Sequence, residues 1–476
     1  MRTHALLLSA CVLIATALPA RADAFDDACE AARAKQLPAL IELARWCHDQ
    51  KLFASRDELA RRILEADPRN VQAHQWLRHR LGPGGRWEAP SRPPATNDSA
   101  GAAALEQFAE TRTRLLRPIA EELDAALVQH RPNAAPGLRE AVQQEILALV
   151  PDDAEFRVLH GEVLGPQGWR LQETVSGERR RKALTDAARA ALAAVPAPRS
   201  ATVLAELSRS GLRWRAALAF PNMLVFATTS RPEAERIGQA CEALPGLLRT
   251  ALGIESSLLP GFTVFALEGP DDGHAFRDAH PDVSADARRI WDEYGSLWLG
   301  GTGALATYQR LPAWRVESPC GMAFRTILRQ QFDVKGTRAP FAMEGFEKRL
   351  VWELVGTRTT YSQRESEYAD DAGGKRRVDM SADAAWYARA AELLQELGPA
   401  DLAERMGRPL NLLDGDDRVL GNAIAAYYLE GRPAECGAYL TALGEGASPE
   451  DALRKASDLD IEALRLRMIR WLGERN

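Results

Sequence analysis

The densest set of chemistry-bearing side chains is His274, Asp278 and His280, with Asp271 and Asp272 just before them. His274 and Asp278 are four apart, so on a helix they would share a face, as a small surface metal site requires. A solvated helix start with acidic residues in its first turn accounts for the same letters more economically. Gly301-Thr302-Gly303-Ala304-Leu305-Ala306 spells G-x-G-x-x-A. However, the following Thr307-Tyr308-Gln309 reads as strand, where a phosphate would need a helix N-terminus, so a turn is expected. Asp414-Gly415-Asp416-Asp417 has neither the spacing nor the closing Glu of a calcium loop and is expected to cap a helix. The sequence contains no HExxH, no G-x-S-x-G elbow and no phosphate-binding P-loop, and its cysteines lack metal-ligand spacing. No metal and no cofactor is expected from these motifs.

The elements that must position any site begin with an export signal. Met1-Arg2-Thr3-His4 is basic, Ala5–Leu18 is apolar, and Ala22-Asp23-Ala24 is a small-residue exit, so residues 1–24 read as a signal peptide cleaved after Ala24. The apolar run falls short of the roughly 20 residues a membrane span needs, and no later segment approaches it. The mature chain is therefore expected to be periplasmic or secreted, without a transmembrane segment. A formal net charge of −6 over 476 residues argues against a nucleic-acid surface. Cys29, Cys47, Cys241, Cys320 and Cys436 lie beyond the signal, and Cys29 with Cys47, on consecutive predicted helices, is the one disulfide expected.

The N-terminal half repeats itself. Ile63-Leu64, Pro68, Leu81-Gly82-Pro83 and Gly85 recur as Ile146-Leu147, Pro151, Leu164-Gly165-Pro166 and Gly168 at a constant offset of 83 residues. A helix, a proline-marked turn, a second helix and a Gly-Pro turn make a helical-hairpin unit that resembles a tetratricopeptide-type repeat. The Pro-, Ser- and Gly-rich stretch Glu88–Ala103 reads as a linker, and Val195-Pro196-Ala197-Pro198 as a second seam. Beyond it the pattern turns mixed. Met223–Ala227 and Phe262–Leu267 are expected strands, and Ser230 should cap a helix carrying Ile237, Cys241, Leu244, Leu248 and Leu252. Ser296–Leu299 and Ala304–Gln309 are further sheet candidates, and mostly helices follow.

This order of elements over residues 220–476 resembles the peptidase-MA-like gluzincin metallopeptidases. The residues that carry the likeness are Pro340-Phe341-Ala342-Met343-Glu344-Gly345-Phe346-Glu347, similar to the family's Glu-Gly helix start, and the C-terminal helices of Ala423–Leu472. In that family an upstream helix bears HExxH, whose histidines at i and i+4 share a face and hold zinc. A glutamate beside the first histidine activates the bound water, and a downstream Glu completes the ligands. The resemblance places Arg325 and Arg329 at the histidine positions, Thr326 at the base and Glu344 at the retained ligand. Guanidiniums cannot ligate a dication, and threonine cannot serve as the base at neutral pH. The resemblance thus implies a pseudo-metallopeptidase with relic zinc-site positions Arg325, Thr326, Arg329 and Glu344. Two arginines one turn apart would act as counter-charge to Glu344, clasping the two helices without metal.

The expected fold is α+β and mainly helical. Helical-hairpin units at 25–87 and 104–195, joined by the linker 88–103, precede a gluzincin-like domain at 196–476 with a small sheet and a helical C-terminal subdomain. The expected function is a non-catalytic exported binding or scaffold protein, with a protein partner engaging the helical units. A hydrolase working on peptides in the same cleft is the alternative.

Overall fold

The computed structural model describes residues 3–91, 102–203, 207–279, 288, 291, 295–299, 303–308, 312–332, 339–357, 367–369, 375–377 and 383–475. The chain divides into two compact units, Met1–Arg170 and Leu171–Asn476, and the whole is a mainly helical α+β protein.

The first unit builds one motif twice. Helices α1 (Thr3–Asp49), α2 (Phe53–Ala66) and α3 (Val71–Trp76) lead into a hairpin of β1 (Arg80–Leu81) and β2 (Trp87–Glu88). Then α4 (Ala102–His130), α5 (Pro136–Leu149), α6 (Ala154–Leu159), β3 (Glu162–Gly165) and β4 (Gly168–Leu171) repeat the order. The 83-residue offset relates α2 to α5 and α3 to α6 residue for residue, including their caps. Asn70 accepts from the Ala73 amide, and its counterpart Asp153 accepts from Glu155 and Phe156. Leu59 and Ile63, like their counterparts Val142 and Ile146, are buried in one shared core with Leu43, Leu116 and Leu123. The third helix of each copy has only six residues, and the Gly-Pro signal marks a β-hairpin rather than a turn between helices. Gly85 (φ 68°) and its counterpart Gly168 (φ 95°) take the left-handed conformation that the hairpin requires, which explains the repeated glycine.

Two sequence expectations fail here. Cys29 and Cys47 do not lie on consecutive helices, because α1 runs unbroken through Pro38. At 1.5 Å per residue they stand about 27 Å apart, well beyond the ~7 Å a disulfide tolerates, and both are buried without being joined to each other. The seam at Val195 is also displaced. Helix α7 (Gln172–Ala194), expected to close the second helical unit, buries Leu184 and Ala188 in the core of the second unit, so the division falls at Arg170. Most of the expected linker lies outside the described residues.

In the second unit β5 (Arg199–Ser200), β6 (Ala216–Ala219), β7 (Met223–Ala227), β8 (Phe262–Leu267), β9 (Ser296–Leu299) and β10 (Ala304–Tyr308) form one sheet in the order β5-β6-β7-β8-β10-β9. Its centre, β7-β8-β10, is parallel, and the flanking pairs are antiparallel. Crossover helix α8 (Arg231–Leu252) is capped by Ser230 and buries Ile237, Cys241, Leu244 and Leu248 against one sheet face. The other face carries an aromatic cluster of Trp214, Phe226, Phe265, Phe276, Trp291 and Tyr308, to which α9 (Pro270–Asp278) contributes Phe276.

Helices α10 (Pro312–Phe332) and α11 (Pro340–Val355) follow, then β11 (Glu367–Ala369) paired with β12 (Lys375–Arg377). The helical end comprises α12 (Asp383–Glu396), α13 (Pro399–Met406), α14 (Gly415–Ala426), a π-helical turn at Tyr427–Gly431, α15 (Pro433–Gly444), α16 (Pro449–Ser457) and α17 (Ile461–Arg475). Ser448 caps α16, with Pro449 at its first position, and Ile461, Leu464, Met468, Trp471 and Leu472 of α17 are buried. Among the described residues no helix is long and apolar enough to cross a membrane.

Candidate functional site

Helix α11 determines the site. It is buried along most of its length, yet it carries Glu344, Glu347, Lys348 and Arg349, all at most 2% exposed. Such charges must find partners when desolvated, and each does. Arg325 of α10 reaches across with both arms of its fork: its NH2 pairs with Glu344 Oε1 and its Nε with Glu347 Oε2. From α14, Arg418 Nε lies 3.5 Å from Glu344 Oε2, and its NH1 is anchored on the Leu413 carbonyl at 2.8 Å. Lys348 pairs with Glu317 of α10 at 2.8 Å and lies 3.6 Å from Glu347. Three carboxylates (Glu317, Glu344, Glu347) thus face three cations (Arg325, Lys348, Arg418), all with side chains at most 14% exposed.

The electrostatics follow from this balance. Burial by itself would raise the Glu344 carboxyl, but the charges of Arg325, Lys348 and Arg418 hold it below the usual carboxylate range. Burial would likewise depress Lys348, but Glu317, Glu347 and Glu344 hold it above the usual lysine range. The site is charged on both sides and closed to bulk water.

Two glycines let the helices come close enough. A Cβ at Gly345 would collide with the backbone of Gly421, so α11 and α14 touch main chain to main chain where Glu344 meets Arg418. Gly321 lies on α10 one turn before Arg325, and a Cβ there would occupy the space of the Glu347 carboxylate of α11. The Glu-Gly pair at 344–345 is therefore a charge beside a close helix contact.

A second buried network adjoins it. Arg349 pairs with Glu430 Oε1 at 3.0 Å and Glu353 Oε1 at 2.5 Å, and Arg475 pairs with Glu430 from α17. Arg180 of α7 donates to the Glu430 and Gly431 carbonyls at 2.7 and 3.1 Å, oxygens that the π-helical turn exposes. The Arg475 guanidinium lies over the Tyr387 and Trp471 rings, 4.0 and 4.8 Å from their centres.

Of the four positions that the resemblance singles out, the structure joins two. Arg325 binds Glu344, as expected. Arg329, expected to be the second arm, is exposed and forms no ion pair with Glu344. Thr326 turns its hydroxyl back to the Met322 carbonyl at 2.9 Å, a bond within its own helix. The second contact of Arg325 is instead Glu347, and the second contact of Glu344 is Arg418. Neither was anticipated. The available signal was the charged run Glu347-Lys348-Arg349 inside an otherwise apolar helix, a pattern that a buried helix tolerates only as a paired network.

The remaining candidates are structural. His274 and Asp278 lie on α9, which opens with Asp271 and Asp272 in its first turn, and Asp272 accepts from the Thr228 hydroxyl. His280 lies outside the described residues. Gly303 precedes strand β10 as expected, while Gly301 and Thr302 are not described. Asp414 and Asp417 form a reciprocal capping box on α14. Among the described residues no group of three or more His, Cys, Asp or Glu side chains could hold a metal ion. Comparison with protein-family models and with curated proteins finds no match to this chain.

Proposed function

We propose that this chain is an exported, non-catalytic binding or scaffold protein built on a gluzincin-like domain in which an arginine clasp stands where the zinc would be. The observation that carries this reading is the double contact of Arg325 with Glu344 and Glu347. A dication shared between two helices would hold them together by charge, and the Arg325 guanidinium does the same from the first relic histidine position. The Glu344 carboxylate is buried between Arg325 and Arg418, two cations that cannot ligate a dication and would repel it.

For the first unit, the supporting observation is Val158, Leu159 and Leu164, which are 63%, 60% and 67% exposed. Apolar side chains left in water on a short helix and on the strand after it suit a protein partner. Metal analysis of the purified mature chain, combined with a peptide-hydrolysis assay, tests the domain reading. The proposal expects no stoichiometric zinc and no turnover. Bound zinc together with chelator-sensitive hydrolysis would establish the peptide-hydrolase reading instead. Intact mass of the exported protein should show loss of residues 1–24, and retention of them would contradict export by a cleaved signal.

A further inference from the structure

The two copies of the first unit solve one packing problem with different chemistry. In the second copy Arg157 of α6 donates Nε to the Pro151 carbonyl at 2.6 Å, and its NH1 pairs with Glu162 Oε2, at the start of β3, at 2.5 Å. The side chain therefore ties the turn before its helix to the hairpin after it. At the equivalent positions of the first copy, 83 residues earlier, stand Pro68, His74 and His79. There His74 Nε2 lies 2.9 Å from the Pro68 carbonyl, and His74 Nδ1 lies 2.8 Å from His79 Nδ1. The His74 ring also stacks on Trp87 of β2, with centres 4.4 Å apart and planes 12° apart. A lasting ion pair in one copy is thus an imidazole pair in the other.

The protons in this pair are dictated by its partners. A carbonyl only accepts, so His74 Nε2 carries hydrogen and donates to Pro68. A neutral His74 then offers a lone pair at Nδ1, which must accept from His79 Nδ1–H. One added proton can go to His79 Nε2 without disturbing either bond. A second can go only to His74 Nδ1, and two N–H groups would then point at each other across 2.8 Å.

We propose that the first hairpin is a pH-gated element, docked on α3 while the two imidazoles share the Nδ1–H···Nδ1 bond and released when both are protonated. Charged groups on the surrounding elements do not substitute for the pair. Arg56 and Asp57 of α2 pair with each other, Arg56 NH1 lies 3.2 Å from His48 Nδ1, and Asp67 accepts from the Arg69 amide and the Asn70 side chain. Arg80 and Glu88 belong to the hairpin itself, and Arg78 lies between α3 and β1. Burial, then the charge of His74, hold the His79 imidazolium below its ordinary range. A depressed histidine gives stability that is present above the unfolded value of about 6.5 and lost as pH falls through it toward the folded value. The Arg157–Glu162 pair joins a guanidinium to a carboxylate and contains no imidazole to take up a proton in that window.

Amide hydrogen exchange on the full chain from pH 7.5 to 5.0 reads the two hairpins side by side, so their ratio cancels the intrinsic pH dependence. Protection around Gly82 and Gly85 should fall roughly tenfold relative to the β3–β4 hairpin. An unchanged ratio would overturn the proposal. His79→Gln keeps a donor toward His74 but cannot titrate, so it should hold the first hairpin protected at pH 5. Continued loss of protection in that variant would also overturn it. His74→Arg with His79→Glu, which transplants the ion pair of the second copy, should make the two hairpins respond alike. A first hairpin that still loses protection with that pair in place would count against the proposal too.

Discussion

Ion pairs between long helices occur in both units, but in opposite surroundings. In the first unit Arg33 of α1 meets Glu145 of α5 at 2.8 Å, and Lys35 meets Glu122 of α4 at 2.6 Å, with side chains 21–60% exposed. In the second, Arg325, Glu344 and Glu347 have side chains at most 14% exposed. Exposed pairs gain little, because water already solvates each charge. Buried pairs have surrendered that solvation, so losing one member strands the other. These two exposed pairs of the first unit therefore trim its surface, over helices that share an apolar core. In the second unit the charges decide which helices sit together.

Removing one cation from the buried cluster should have the largest effect. Arg325→Ala leaves Glu317, Glu344 and Glu347 facing only Lys348 and Arg418, and should destabilise the second unit by about 3–5 kcal/mol. Urea unfolding followed by α11 amide exchange measures this, and a change below ~1 kcal/mol would mean the cluster is solvated. Next comes geometry. Gly345→Ala puts a methyl into the Gly421 backbone and should cost about 1–3 kcal/mol by the same readout, with α11 and α14 losing protection together. Arg33→Ala should change stability by less than ~1 kcal/mol, and added salt should shrink that difference further.

Acid sharpens the contrast in another way. The folded Glu344 carboxyl is held below its unfolded range, so its contribution is complete above pH ~4.3 and is lost as pH falls through the folded value. Lys348 is raised, so its contribution is complete below pH ~10.4 and is lost as pH climbs past the folded value. The α11 amides should stay protected from pH 5 to 10 and open at both extremes. The first hairpin, with its histidine pair, should open between pH 7 and 5.

Elements with a local signature were legible in the sequence. Ser230 and Asp414 each cap a helix as read, and the expected strands at Met223–Ala227 and Phe262–Leu267 are present. The 83-residue offset located α2 and α3 and their counterparts α5 and α6, because hydrophobic spacing and turn residues are local properties. Pairings across space were less visible. Arg325 could be matched to Glu344 through the implied zinc geometry, but no spacing rule connects Arg418 to Glu344 or singles out Glu347 over Arg329. Those choices depend on the close approach at Gly345 and Gly421 and on which face of α10 Gly321 leaves open. The Cys29–Cys47 pairing failed for a simpler reason. The two cysteines were expected on consecutive helices, and the single helix α1 carries both.

The account rests on Arg325 holding Glu344 from within the protein, and a double-mutant cycle on Arg325→Ala and Glu344→Ala tests that directly. A true clasp predicts a coupling of about 2–3 kcal/mol, the double variant being far less damaged than the two single losses sum to. Additivity within ~0.5 kcal/mol would show that the two side chains do not sense each other and would contradict the account.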